Sequence, residues 1–269
     1  MEIRNRYLVH ILVLLLLFTI GCKTIYGFGA KDVFVDKDQI RFIDLIKKGK
    51  YTEAEGMIKN GLDINFKNEQ GITPLYYFYM KKDFKSFKKM LELGADPNVD
   101  PKRFGMGYLL NMTMQIKDDR YFKLLLEYNV DINYAPQVDK NLSRSGPGVL
   151  EFSLSYDTDI KYLKMLIEHK INPYYSDHPL HSPIYDALTI REYKRVILLL
   201  DYYPGYLSDE KNIITTKGEK RTLKDIIVKH LEEYNQAPGS QLLKDQRALV
   251  KYLKERFDID VKLQYPNGR

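Results

Sequence analysis

Tryptophan is missing from the 269 residues, and cysteine occurs once, as Cys22. A single thiol excludes a disulfide within the chain and a cysteine-built metal cluster, so stability has to come from apolar packing. Long hydrophobic runs are scarce. The one extended apolar stretch, Leu8 to Ile20, falls short of the roughly 20 residues a comfortable membrane span needs. Charge of one sign is not in large excess either: 42 Lys and Arg against 36 Asp and Glu leave +6, spread mostly as single lysines. That balance gives solubility and a mild bias toward acidic partners, without the basic patch of a nucleic-acid binder. No Gly-rich phosphate loop and no G-x-S-x-G elbow is present, which removes the common signatures of nucleotide and acyl-transfer chemistry.

What is present is a period. The stretch Gly71–Asn98 opens with Thr73-Pro74-Leu75 and closes with Gly94-Ala95-Asp96-Pro97-Asn98. Thr73 suits an N-cap, and Pro74 a first helical turn, where a missing N–H costs nothing. Leu75, Phe78 and Tyr79 share one helix face, as do Phe84, Phe87 and Leu91 on a second helix, with Gly94 as its stop. Two such short helices cannot bury their own apolar faces and need copies of themselves. The closing loop returns as Gly61-Leu62-Asp63-Ile64-Asn65 and Asn129-Val130-Asp131-Ile132-Asn133, and more weakly as Ile171-Asn172-Pro173 and Phe257-Asp258-Ile259-Asp260. The steps are 33, 35 and then 41 residues.

This unit resembles the ankyrin repeat, which reads G-x-T-P-L-H-x-A-A and then a second helix ending L-L-x-x-G-A-D-x-N. Gly71, Thr73, Pro74, Leu75, Leu91, Gly94, Ala95, Asp96 and Asn98 match without a gap. The family's His and small residues are replaced by Tyr76, Phe78 and Tyr79, bulky rings that mark a diverged copy. Ser182-Pro183-Ile184-Tyr185-Asp186-Ala187 is a second match to the opening motif. The resemblance implies an all-α ankyrin-repeat solenoid of five to six helix-turn-helix repeats over residues 35–261, diverged and carrying insertions in its C-terminal half. A polar loop is expected at Ala135–Gly148 and a frayed tail at 262–269.

The N-terminus reads as a targeting segment. Arg4 and Arg6 precede the apolar core, and Thr19-Ile20-Gly21-Cys22 follows it. Gly21-Cys22 resembles the bacterial lipoprotein box, in which the Cys is acylated after removal of a signal peptide, here residues 1–21. Residues 22–34 then form the lipidated Cys22 and a tether. Lys23, rather than Asp, follows the Cys, which favours the periplasmic side of the outer membrane in a Gram-negative cell. The alternatives are an ordinary secretory cleavage near Gly27-Phe28-Gly29, which discards Cys22, and a retained anchor.

Candidates for catalysis are few. His178-Pro179-Leu180-His181 spaces two imidazoles, but Pro179 breaks the helix that would aim both at one metal. His169 and His230 lie near helix ends, where dipole contact explains them. Asp118-Asp119 and Asp157 with Asp159 fall at turns and read as caps. No catalytic residue, metal or cofactor is expected, and no nucleic-acid or small-molecule ligand.

The resemblance instead implies protein binding through hairpin tips and the inner-helix face. Lys47-Lys48 and Lys81-Lys82 end the first helix of successive copies, and Met80 adjoins the latter pair. Glu69, Gln70 and Ile72 stand at the tip of the second copy, and His178, Leu180 and His181 at the equivalent place in the fifth. The expectation is a non-enzymatic, lipid-anchored envelope protein that binds a protein partner, as a scaffold or as an immunity protein against a toxin. A secreted or surface effector engaging host proteins is the alternative.

Overall fold

Short amphipathic segments separated by left-handed turns give a chain of helical hairpins. A computed structural model describes residues 29–101, 107–134, 148–155, 157–173, 183–207, 214–216, 219–234, 236–237 and 239–263. The signal segment, Cys22, the loop 135–147, His178, Leu180, His181 and the tail from 264 lie outside the described residues. The chain divides into two compact units, Met1–Val130 and Asp131–Arg269.

The first unit holds three helix pairs: α1 (Lys37–Lys47) with α2 (Tyr51–Lys59), α3 (Pro74–Met80) with α4 (Phe84–Glu92), and α5 (Leu109–Met114) with α6 (Arg120–Glu127). Their starts follow from short polar side chains. Asp36 Oδ1 accepts from the N–H groups of Asp38 and Gln39, at 2.9 and 3.0 Å. Thr73 Oγ1 accepts from Tyr76 N at 3.2 Å with Pro74 in the first turn, and Asp83 accepts from Ser86 N at 3.0 Å. Each cap satisfies a backbone donor the helix itself cannot. Phe42, Ile43, Phe87, Met90, Leu109, Leu110, Phe122 and Leu125 are fully buried, which is where the apolar faces meet.

Residues 29–34, expected in the tether, belong to this unit. Ala30–Asp32 forms a 3-10 turn, and Phe34 is buried, edge-on to Phe66 at 5.3 Å and to Tyr77 at 5.9 Å. Aromatic edges meeting faces at this separation add to the burial itself. The rings of the diverged copy are accommodated rather than expelled. The hydroxyl of Tyr76 donates to Gly107 O at 3.3 Å and that of Tyr79 to Met112 O at 2.6 Å, so each large side chain also satisfies its polar end.

The second unit holds α7 (Val149–Leu154), α8 (Ile160–Glu168), α9 (Pro183–Thr189), α10 (Tyr193–Tyr202), α11 (Leu223–Glu233) and α12 (Gln241–Phe257). The first helices stack on one another, α9 against both α7 and α11, and the second helices likewise, α10 against α8 and α12. The interior is Leu163, Leu166, Ile184, Val196, Leu200, Ile227, Leu231 and Leu249. Arg195 is also buried, with its guanidinium on the Thr158 carbonyl and on Glu192.

One element departs from the all-helical expectation. Between α10 and α11 an antiparallel ribbon, β1 (Ile214–Thr216) and β2 (Glu219–Arg221), pairs Ile214 with Arg221 and Thr216 with Glu219. Among the described residues all other regular structure is helical, so the all-α class stands with this short ribbon inserted.

Candidate functional site

The exposed tips are built from two recurring closures. In three hairpins the second residue after the first helix is left-handed: Gly49 (φ 74°), Lys82 (φ 54°) and Arg191 (φ 64°). The next N–H reaches back five residues, from Lys50 to Leu45 O at 2.9 Å, Asp83 to Phe78 O at 3.1 Å and Glu192 to Ala187 O at 2.8 Å. This is the Schellman pattern, and the three tips are therefore equivalent positions. After the second helices the same closure occurs at Gly61, Gly94, Asn129 and Lys170. The following residues, Leu62, Ala95, Val130 and Ile171, bond back to Met57, Met90, Leu125 and Leu166. Ala95, Val130 and Ile171 are buried, supplying the apolar contact that usually accompanies the motif.

Lys47 and Lys48 stand exposed at the first tip, in the last turn and cap of α1, where a cation complements the helix dipole. Lys81 is half-buried and caps α3. Glu69 and Gln70 crown a tight turn organised by Asn68. Its Oδ1 accepts from Gln70 N at 3.0 Å and Ile72 N at 2.9 Å, while its Nδ2 donates to Val33 O at 3.1 Å. Both tip residues are exposed.

Two expected contact residues are corrected. Ile72 is 2% exposed and Met80 9%. Ile72 turns inward as the apolar foot of the Asn68 turn, and Met80 belongs to α3, all 7 residues of which are buried. Neither side chain stands at the surface. Cys22, His178, Leu180 and His181 lie outside the described residues.

The Asp and Asn of the recurring loop, read in the sequence only as a landmark of the period, carry the loops. Asp63, Asp96 and Asp131 accept from the N–H two residues on, at Asn65, Asn98 and Asn133. Asn65 Oδ1 then accepts from Asp96 N at 2.8 Å, and Asn133 Oδ1 from Asn172 N at 2.7 Å. The Asp-x-Asn spacing is the sequence signal of this bonding role.

The expected caps among the acids are partly as read. Asp159 Oδ1 accepts from Lys161 N at 2.9 Å. Asp118 Oδ1 likewise accepts from Arg120 N at 3.2 Å, and its carboxylate also takes the Arg120 guanidinium at 2.7 Å, which holds its carboxyl below the usual range. His169 follows α8, its Nδ1 2.8 Å from Met165 O. His230 does lie in the last turn of α11, as a half-buried ring whose Nε2 has no hydrogen-bond partner among the described residues, and burial pushes its pKa down to about 4, which weakens the expected dipole contact at neutral pH.

A shallow pocket beside α11 is lined by Lys224, Asp225, Lys229, Glu232, Asp258 and Asp260. Its carboxylates are largely engaged by groups outside the lining: Lys254 bridges Asp258 and Asp260 at 2.6 and 3.0 Å, and Glu232 accepts from Lys262 N at 3.1 Å. Among the described residues no group of three His, Cys, Asp or Glu could hold a metal, and no helix is long and apolar enough to cross a membrane. No family model matches the sequence, and no curated protein matches it.

Proposed function

We propose that this chain is a diverged ankyrin-like repeat protein, anchored by lipid at Cys22 in a bacterial envelope, that binds a protein partner through its hairpin tips. The observation that carries the repeat reading is the recurrence of one closure at Gly61, Gly94, Asn129 and Lys170, each after the second helix of a pair. Stacked pairs of this kind offer an extended surface built from many short tips, and fold alone does not name the partner. With Ile72 and Met80 buried, the surface reduces to Lys47, Lys48, Glu69, Gln70 and Lys81 in the first unit. By sequence, His178, Leu180 and His181 stand at the equivalent place of the fifth copy.

The anchor reading rests on Gly21-Cys22 after an apolar core. Expression with radiolabelled palmitate and membrane fractionation tests it: the intact chain labels and sediments with membranes, and Cys22→Ser does neither. Unlabelled protein in the medium would instead support a secreted effector. Cross-linking in intact cells followed by identification of the captured chain tests the binding role. A reproducible protein partner supports it, and capture of nothing at any tip contradicts it.

A further inference from the structure

The tip between α9 and α10 differs from its counterparts at Gly49 and Lys82 in what surrounds it. Ile190 is 44% exposed and Tyr234 46%. Together with Val35 they are the large apolar side chains that stand open among the described residues. The Arg191 guanidinium lies over the Tyr234 ring, 5.5 Å from its centroid. Tyr234 stacks in turn on His230, 4.5 Å between centroids and 28° between planes. His230 meets Tyr193 edge-on at 6.3 Å. Tyr193 is buried, and its hydroxyl accepts from Gln236 Nε2 at 3.1 Å. The exposed ring thus stands on a half-buried imidazole that is itself backed by the buried Tyr193, which reduces the ordering cost of using it for binding.

Among the described residues the charge of Arg191 is not answered by an ion pair. Glu192 is engaged by Arg195, Glu233 pairs with Lys229 at 3.5 Å, and Asp245 pairs with Lys194 at 3.2 Å. Among the described residues no ion pair involves Arg191, and its field is a second cause, after burial, of the lowered His230 pKa. A guanidinium lying over a ring keeps its edge donors free, in the fork that fits a carboxylate. Arg and Tyr side by side are also the residue types that dominate binding energy at interfaces. Glu232 and Glu233 on the same stretch of α11 disfavour a polyanion such as a membrane surface or nucleic acid, and leave room for an isolated carboxylate.

We propose that Ile190, Arg191 and Tyr234 form an anchor for an acidic segment of a protein partner, Arg191 taking a carboxylate and the two apolar side chains gripping its flanks. This rests on the protein-binding reading and adds the partner's chemistry.

The absence of tryptophan supplies the test. In the full chain, Tyr234→Trp places a single indole at the anchor. The probes are capped hexapeptides with a central Glu flanked by Leu, Phe or Tyr, and the same set with Gln. Saturable fluorescence changes with Glu peptides are expected, with affinity at least about tenfold weaker for the Gln partners. Adding Arg191→Gln removes the Glu preference, and Arg191→Lys retains part of it. Circular dichroism melts establish that each variant folds. Equal response to Glu and Gln peptides, response to neither, a Glu preference surviving Arg191→Gln, or a stronger response to phosphatidylglycerol vesicles would each overturn the anchor. A partner cross-linked at Lys47 or Glu69 alongside any of those results would leave the binding role standing and remove this anchor alone.

Discussion

Asn65 Oδ1 accepts a 2.8 Å hydrogen bond from the backbone N–H of Asp96, tying the loop that ends one helix pair to the loop that ends the next. Asn65 is itself held by Asp63, whose carboxylate accepts from its N–H at 2.8 Å. The loops of Asp63 and Asp131 thus shape themselves with an Asp and hand an Asn oxygen forward, whereas Asn98 Oδ1 accepts from the Tyr108 hydroxyl at 2.7 Å. Asn65→Ala should cost about 1 kcal/mol, the net worth of one such bond. Hydrogen exchange locates the effect: the Asp96 amide loses protection in the variant. An unchanged exchange rate there would mean that the contact contributes nothing in solution.

The left-handed closures predict substitutions of opposite sign. Gly94 has φ +91°, and a Cβ there would meet nothing within 4 Å. Gly94→Val therefore suffers from backbone conformation alone, about 1–2 kcal/mol. Lys170 holds φ 60° without that freedom. Lys170→Gly should relieve strain and stabilise the second unit by about 0.5–1 kcal/mol, after the greater entropy that Gly has when unfolded. Denaturant midpoints moving down for the first and up for the second are the expected result.

Arg195 is the buried ion with most at stake. Its side chain is 5% exposed, against 27% for its partner Glu192, and it also donates to the Thr158 carbonyl. Arg195→Met strips both contacts and leaves a carboxylate partly buried, a loss of about 2–4 kcal/mol. Glu192→Gln keeps a hydrogen-bond acceptor and should cost about 1 kcal/mol. Equal losses in the two variants would contradict the asymmetry of burial.

His230 sets an acid limit for the second unit. Its folded pKa lies near 4, chiefly from burial and then from Arg191, against 6.5 for the free side chain. The unfolded state therefore binds more protons between those values. The stability is fully present above about pH 6.5 and is lost as pH falls toward 4. Half-exposure of the ring screens the effect, leaving about 1–2 kcal/mol over that range. His230→Phe should flatten the stability profile between pH 6.5 and 4. A profile as steep as that of the unaltered chain would place the titration elsewhere.

Much of the helical plan was legible because punctuation sits at fixed offsets. Thr73-Pro74, Gly49, Gly61 and Gly94 each have one economical backbone use, and the structure puts each to that use. Asn129 was readable for the same reason, since Asn tolerates the left-handed region better than most residues. The ribbon at 214–221 was not. Its strands are 3 residues each, too short to display an alternating pattern. Ile72 and Met80 were assigned by position in a motif, whereas their apolar character and burial follow the core. Arg195 with Thr158 and Tyr193 with Gln236 join residues 37 and 43 apart, and nothing local marks such pairs. The stack of Arg191, Tyr234 and His230 escaped notice because its members come from different hairpins.

The account turns on the tips being the surface that meets another protein. Photo-reactive side chains introduced singly at Lys47, Glu69, Lys81 and Tyr234, and as controls at Lys59 and Lys88, test this in intact cells. Adducts of one protein from two or more tip positions, with none from the controls, are the predicted result. No adduct from any tip, or adducts equally frequent at the controls, would contradict it.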